Sequence, residues 1–295
     1  MKTLFLVAGL VFVTCISLFS ATEQEIIAKL REIDEAMMQG AINYKTTVFR
    51  KNGDKRIQTR SLIYDSEGRY KKVREAIVPN NKTKIYATDY LDDKHYFVTF
   101  TSDQSIVIAD RAMLEELSVE LIFISYEFSN SPSLQYGRGL TLLKDLKIDS
   151  AKNIATAQML DGSIVEAYLD PNLDYAAYKS ERGLGNSGFP TKAEMNNSNP
   201  ILADGKYYIF SKSILYSVSF ENSPAKEYTM ELISATFKTP DEKDYIFDWN
   251  KNTFENIVDA RGTKKQDVLV EYKKSELPEG ITLDELLKIT KEELL

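Results

Sequence analysis

Thr83-Lys84-Ile85-Tyr86-Ala87-Thr88-Asp89-Tyr90-Leu91-Asp92-Asp93-Lys94-His95-Tyr96-Phe97-Val98-Thr99-Phe100 is rich in β-branched and aromatic residues and broken once, by an acidic turn. Such residues suit a pleated, half-buried surface, and successive side chains of a strand point to opposite faces. On 94–100, Tyr96, Val98 and Phe100 therefore share one face, and His95, Phe97 and Thr99 share the other. On 83–91, Ile85, Ala87 and Asp89 alternate with Tyr86, Thr88 and Tyr90; on 69–77, Tyr70, Lys72 and Arg74 alternate with Val73, Glu75 and Ile77. One face reads as apolar and the other as mixed, the pattern of an antiparallel sheet with one covered side.

The same period runs outward in both directions. Strands are predicted at 42–50, 56–64, 69–78, 83–91, 94–101 and 104–109. Short polar turns separate them, among them Asn52-Gly53-Asp54, Asp65-Ser66-Glu67-Gly68 and Pro79-Asn80-Asn81. Six strands so joined make an antiparallel meander. Further strands are predicted at 141–148, 153–160, 163–169 and 174–182, with Asp161-Gly162 and Asp170-Pro171-Asn172 as turns. A Gly/Asn-rich loop is expected over 183–200, read as a surface excursion in preference to a lid. A hairpin-like pair follows at 205–220 and 226–238, and a short strand at 267–272.

Three segments revert to helical spacing. In 23–38, Ile26, Ile27, Leu30, Ile33, Ala36 and Met37 form one stripe, Thr22 can cap, and Gly40 marks the end. In 111–127, Met113, Leu114, Leu117, Leu121 and Ile122 do the same, followed by a polar loop from Ser129 to Gly139. The last is 282–294, with Thr282 as cap.

The first twenty residues set the compartment. Lys2 precedes an apolar run from Leu4 to Phe19 and small residues at Ser20 and Ala21, the form of a secretory signal peptide and too short for a comfortable membrane span. The expected location is therefore outside the cytosol, with the periplasm favoured. Cys15, the only cysteine, lies inside this segment, and the Phe12-Val13-Thr14 before it does not suit lipid attachment. Without it the mature chain has no disulfide, thiolate metal site or cysteine nucleophile. Loss of Lys2 leaves 36 basic against 44 acidic residues, a net of −8, which argues against nucleic acid as a partner.

Catalytic material is sparse. His95 is the only histidine, too little for a hydrolytic triad or a histidine-based zinc site, and its simple reading is a half-exposed strand residue. No phosphate loop, nucleophile elbow or dinucleotide fingerprint occurs. Asp92-Asp93, Asp241-Glu242 and Asp284-Glu285 are adjacent pairs, and neighbours on a strand diverge, so none makes a glycosidase pair alone. No calcium-loop spacing is present. The expectation is a protein without catalysis, cofactor or metal.

The order of elements resembles the superfamily of periplasmic lipoprotein carriers and outer-membrane lipoprotein-sorting proteins (LolA/LolB-like). The resemblance spans roughly 23–238. It rests on the signal, the leading helix, the consecutive strands with Gly68-Arg69-Tyr70 opening the third, the helix at 111–127, and Tyr168-Leu169-Asp170-Pro171-Asn172-Leu173-Asp174-Tyr175. It implies an α+β fold, a curved, largely antiparallel half-open β-barrel with helices packed on its concave face. The domain division expected is a signal at 1–20, a binding domain at 21–240 and a C-terminal extension at 241–295. The partners implied are lipid or lipoprotein acyl chains, with envelope proteins as a further possibility. Each methylene withdrawn from water is worth ~0.8 kcal/mol, so carriage across an aqueous gap needs a shielded hollow. Alternation nominates Tyr96, Val98, Phe100, Ile106 and Ile108 as its lining; a filled core fits the same pattern. The alternative function is an envelope protein that binds another protein or a polysaccharide through its sheet surface, and a secreted carboxylate hydrolase ranks third.

Overall fold

The computed structural model describes residues 21–49, 55–78, 83–111, 137–159, 162–183, 192–218, 226–250, 254–261 and 270–289. The chain enters as helix α1 (Glu23–Ala36) and then forms β1 (Gly40–Phe49), β2 (Lys55–Tyr64), β3 (Tyr70–Val78), β4 (Thr83–Leu91), β5 (His95–Phe100) and β6 (Ser105–Asp110). A second run comprises β7 (Lys144–Asp149), β8 (Ile154–Gln158), β9 (Ile164–Asp170), β10 (Ala176–Arg182), β11 (Lys192–Ala203), β12 (Tyr207–Val218) and β13 (Lys226–Thr236). The chain continues through β14 (Asn256–Asp259), β15 (Val270–Lys273) and helix α2 (Leu283–Lys288). All fifteen strands join one curved, open sheet in the order β15-β14-β6-β5-β4-β3-β2-β1-β13-β12-β11-β10-β9-β8-β7. Two meanders thus meet where β1 pairs with β13, and β14 beside β6 is the single parallel pair among these strands.

The six-strand meander lies where the alternation puts it. The predicted loop at 183–200 is corrected: β11 begins at Lys192 and runs through Pro200. Its polar sequence hides a strand because the polar groups find partners only across the sheet. Asn197 donates to the Ala177 carbonyl at 2.8 Å and accepts from Ser213 Oγ at 2.6 Å. Pro200, which has no N–H to give, lies beyond Asn196, where the ladder of β11 with β10 ends. The predicted helix at 111–127 lies outside the described residues apart from Arg111, which is in a turn. So do the signal segment and the turns at Asn52-Gly53-Asp54 and Pro79-Asn80-Asn81.

Thr22 caps α1 through a reciprocal pair: its N–H donates to Glu25 Oε2 at 2.7 Å and its Oγ1 accepts from Glu25 N at 3.3 Å. The helix stops at Ala36, and Gly40 begins β1 with φ +148°, where an added Cβ would fall 2.1 Å from the Thr236 carbonyl oxygen. The buried stripe of α1 straddles the two meanders. Ile26 and Leu30 pack with Ala155, Ala157, Ala167 and Ala177, whose small side chains let the helix approach the sheet; Ile33 and Met37 pack with Ile42, Tyr44, Leu62 and Tyr64.

The tail does not stand apart from the sheet. Phe247, Trp249, Phe254, Ile257, Tyr272 and Leu286 form one core with Tyr90, Phe97, Ile106 and Ile108, and the Phe97 and Phe247 rings stack with centroids 4.6 Å apart. Two charged clasps hold it. Arg261 Nη2 meets the fully buried Asp259 at 2.6 Å while Nη1 donates to the Leu287 carbonyl at 2.7 Å, closing the end of α2 onto β14. At the other clasp Arg69 reaches Asp65 (2.7 Å), Tyr245 Oη (3.1 Å) and Glu242 (3.4 Å).

Burial pushes the Asp65 carboxyl up, but hydrogen bonds from Arg69 and Tyr245 outweigh it and hold it below the ordinary carboxylate range. A carboxylate depressed in the native state contributes stability above its unfolded pKa and loses it as pH falls through the native value. Asp65→Asn is therefore expected to lower the melting temperature at neutral pH, with the gap from the parent closing below about pH 4. Thermal melts from pH 7 to pH 2 check this, and a gap that stays constant across that range would refute it.

Candidate functional site

The face of the sheet that carries α1 can be followed strand by strand from the pairing. Leu62 on β2 lies opposite Lys72 on β3, Lys72 opposite Asp89 on β4, and Asp89 opposite Val98 on β5. The neighbouring rows are Tyr64, Tyr70, Leu91 and Tyr96, and Arg60, Arg74, Ala87 and Phe100. The core contacts of α1 include Leu62 and Tyr64 but none of Val98, Phe100 or the charged residues between them.

Six polar side chains, Arg60, Tyr70, Lys72, Arg74, Asp89 and Tyr96, occupy this stretch together. Asp89, 2% exposed, accepts from Arg74 Nη2 at 2.6 Å and from Tyr96 Oη at 3.2 Å. Arg74 keeps a buried Nε with no partner among the described residues. Arg60, also buried, donates to Gln58 Oε1 at 2.5 Å and sits directly opposite Arg74. Burial, with repulsion from Arg60 and Arg74, pushes the Lys72 ammonium down to about 8 despite the attraction of Asp89. Burial and the Asp89 charge push the Tyr70 and Tyr96 phenols up, so both stay protonated donors.

Of the predicted lining residues, Tyr96, Val98 and Phe100 are on this face. Ile106 and Ile108 are not. Phe100 pairs with Ser105, so even-numbered positions of β5 share a face with odd-numbered positions of β6. Ile106 and Ile108 therefore join Phe97 on the far side, fully buried under the tail. Alternation gives parity within a strand but not across a turn of unknown register, which is why a single list mixed two faces. Lys72, Arg74 and Asp89 share this face with Tyr96, Val98 and Phe100, and alternation alone does not nominate them. Their signal was the charged row on β3, whose face is defined only by pairing.

Beneath α1 the sheet is filled. The space between Asp34, Met37, Arg138, Gly139 and Leu142 has no room for a water molecule. Asp34 accepts from Gly139 N and Thr141 N, each at 3.0 Å, and from Thr141 Oγ1 at 2.7 Å. Arg138, 1% exposed, donates to the carbonyls of Tyr208 (2.6 and 2.8 Å), Asp174 (2.8 Å) and Leu173 (3.1 Å). A separate open cleft of about 590 Å³ lies beside β7, where Glu23, Asp149 and Glu166 mingle with Lys147 and Lys152.

The other titratable candidates hold turns and helix ends. Asp92 accepts from Lys94 N and His95 N, Asp241 from Lys243 N, and Glu285 from Thr282. His95 is partly buried at the start of β5, its Nδ1 3.8 Å from Asp92. Among the described residues no cluster of three or more His, Cys, Asp or Glu could hold a metal, and no helix is long and apolar enough to cross a membrane.

No family model matches the chain, and no curated protein matches its sequence. Solved structures do. A DUF1329 family protein from Desulfovibrio piger aligns with a TM-score of 0.50 at 9% identity, over 77% of this chain and 96% of that one. A domain provisionally assigned to outer membrane lipoprotein sorting, from Vibrio parahaemolyticus, aligns at 0.46 and 11% identity, over 77% and 97%. A LolA superfamily protein from Nitrosomonas europaea aligns at 0.45 and 11% identity, over 78% and 99%. At this identity the alignment with the Desulfovibrio piger protein is a likeness of fold alone.

Proposed function

We propose that the protein is an exported, non-catalytic binding protein of the cell envelope that holds lipid or lipoprotein acyl chains on the α1-bearing, concave face of a half-barrel. One observation carries this reading: the core contacts of α1 cover only part of that face and include neither Val98 nor Phe100. The part under α1 supplies rigidity. The remainder offers apolar side chains beside polar ones, the composition of a site for a ligand with a greasy body and a polar end. The signal-like first twenty residues support export, and the absence of catalytic motifs from the sequence supports binding without chemistry.

Gentle purification of the mature chain, followed by mass spectrometry of an organic extract, tests the reading. Co-purifying acyl species, or uptake of a fluorescent fatty acid by the emptied protein, are expected. A clean extract with no uptake would overturn it. A second reading, docking of an envelope protein or polysaccharide, is favoured by exposed apolar residues on β10 to β13, chiefly Ile233 (61% exposed), Leu202 and Tyr178. Crosslinking in envelope extract that captured a partner at Ile233 but no lipid would select it.

A further inference from the structure

We infer that α1 is a fixed brace across the joint of the two meanders, not a lid, and that acyl chains enter the half-barrel without displacing it. The second half of this inference rests on the lipid-binding reading; the first does not.

A lid swings about one end and lifts off a face that it covers only loosely. The C-terminal end of α1 runs through Met37 into β1 at Gly40, so the end free to swing would be its first turn. That turn is fastened, because Glu23 Oε1 accepts from Ile148 N on β7 at 2.9 Å. In the last turn Asp34, 3% exposed, accepts from Gly139 N, Thr141 N and Thr141 Oγ1. The Met37 carbonyl accepts from Tyr64 Oη at 2.8 Å. Lifting α1 would strip the Gly139 and Thr141 amides and the Asp34 carboxylate of their partners at once. The space among Asp34, Met37, Arg138, Gly139 and Leu142 admits no water to replace those bonds one at a time.

The two ends also hold different halves of the sheet. Ile26 and Leu30 pack with residues of β7 to β10, whereas Ile33 and Met37 pack with Ile42 and Tyr44 on β1 and Leu62 and Tyr64 on β2. These four side chains of α1 are at most 1% exposed, and alanines at 155, 157, 167 and 177 set the helix directly on the strands. By spanning the joint where β1 pairs with β13, α1 fixes the angle between the meanders and so the curvature of the face. An element packed in this way opens at close to the cost of unfolding the whole, whereas gating segments come from the least stable parts of a fold.

Hydrogen exchange of the parent mature chain tests the brace without any ligand. The amides of the last two turns of α1 are expected to exchange within ~10-fold of those of β1 and β2, and faster exchange than that would overturn the brace. Uptake tests the route. Residues 21–295 hold no cysteine, and Glu23 and Lys147 line one cleft, so Glu23→Cys with Lys147→Cys supplies a single pair of thiols that tethers the first turn to β7. Joined by a short bismaleimide, this double variant is expected to take up fluorescent fatty acid within about twofold of the same variant left unjoined. A larger fall on joining would show that α1 must move, overturning the inference while the carrier reading stands. If the parent takes up no lipid, the carrier reading falls and hydrogen exchange alone decides the brace. Exchange of the parent also decides it if the double variant fails to fold.

Discussion

Replacement of Arg138 by methionine is expected to lower the unfolding free energy by ~4 kcal/mol, among the largest effects of any single exchange. Methionine is close in length and apolar, so little void is left and the loss reflects hydrogen bonds. The guanidinium donates to the carbonyls of Leu173, Asp174 and Tyr208, tying the turn after β9 and the start of β12 to the segment leading into the second meander. Each buried acceptor left without a donor costs ~1–3 kcal/mol. Burial pushes the Arg138 guanidinium down to about 10, opposed by attraction to Asp34 and Asp174, and it stays charged at neutral pH. Arg138→Lys should recover only part of the loss, because an ammonium lacks the planar fork that spans three carbonyls. Urea melts of the three proteins measure this. A methionine variant within ~1 kcal/mol of the parent would show that these contacts contribute little.

Two phenylalanines three residues apart are expected to part company. Phe97 is fully buried, stacked on Phe247 and pressed by Ile106 and Ile108, so Phe97→Ala should cost ~3–5 kcal/mol through lost burial and the cavity left behind. Phe100 is half-buried on the other face, and Phe100→Asp should cost under ~2 kcal/mol, the range of ordinary substitutions, while reducing fatty-acid uptake at least ~5-fold. Denaturant melts and uptake measured on the same samples separate the two effects. Were Phe97→Ala benign, the tail would not be a packed layer. Were Phe100→Asp to fold and take up lipid as the parent does, the acyl chain would lie elsewhere.

The contrast also shows how far the residues alone could be read. The period-two pattern of 42–109 located six strands within two residues at each end, because each strand is bounded by turn residues and alternates along its own length. Thr22 and Thr282 marked helix starts for an equally local reason, since each faces a glutamate three residues on. The β11 strand resisted because Asn196-Asn197-Ser198-Asn199-Pro200 has loop composition, and Asn197 becomes acceptable inside a sheet only when Ala177 and Ser213 satisfy it. The role of the tail was equally hidden. Trp249 and Phe254 carry no spacing that points to Phe97, and β14 pairs with a strand about 150 residues earlier.

What chain order decided unaided was local: the meander, the capped helices, the single cysteine and the negative charge. These depend on neighbours within a few residues, and short-range sterics and hydrogen bonding suffice to specify them. The assembled sheet decided which face each residue serves, that Ile106 and Ile108 are core while Val98 and Phe100 lie beside Asp89, and that Arg60, Lys72 and Arg74 stand together. Facing is a property of pairing register, and a shift of one residue between strands exchanges the two sides of the sheet.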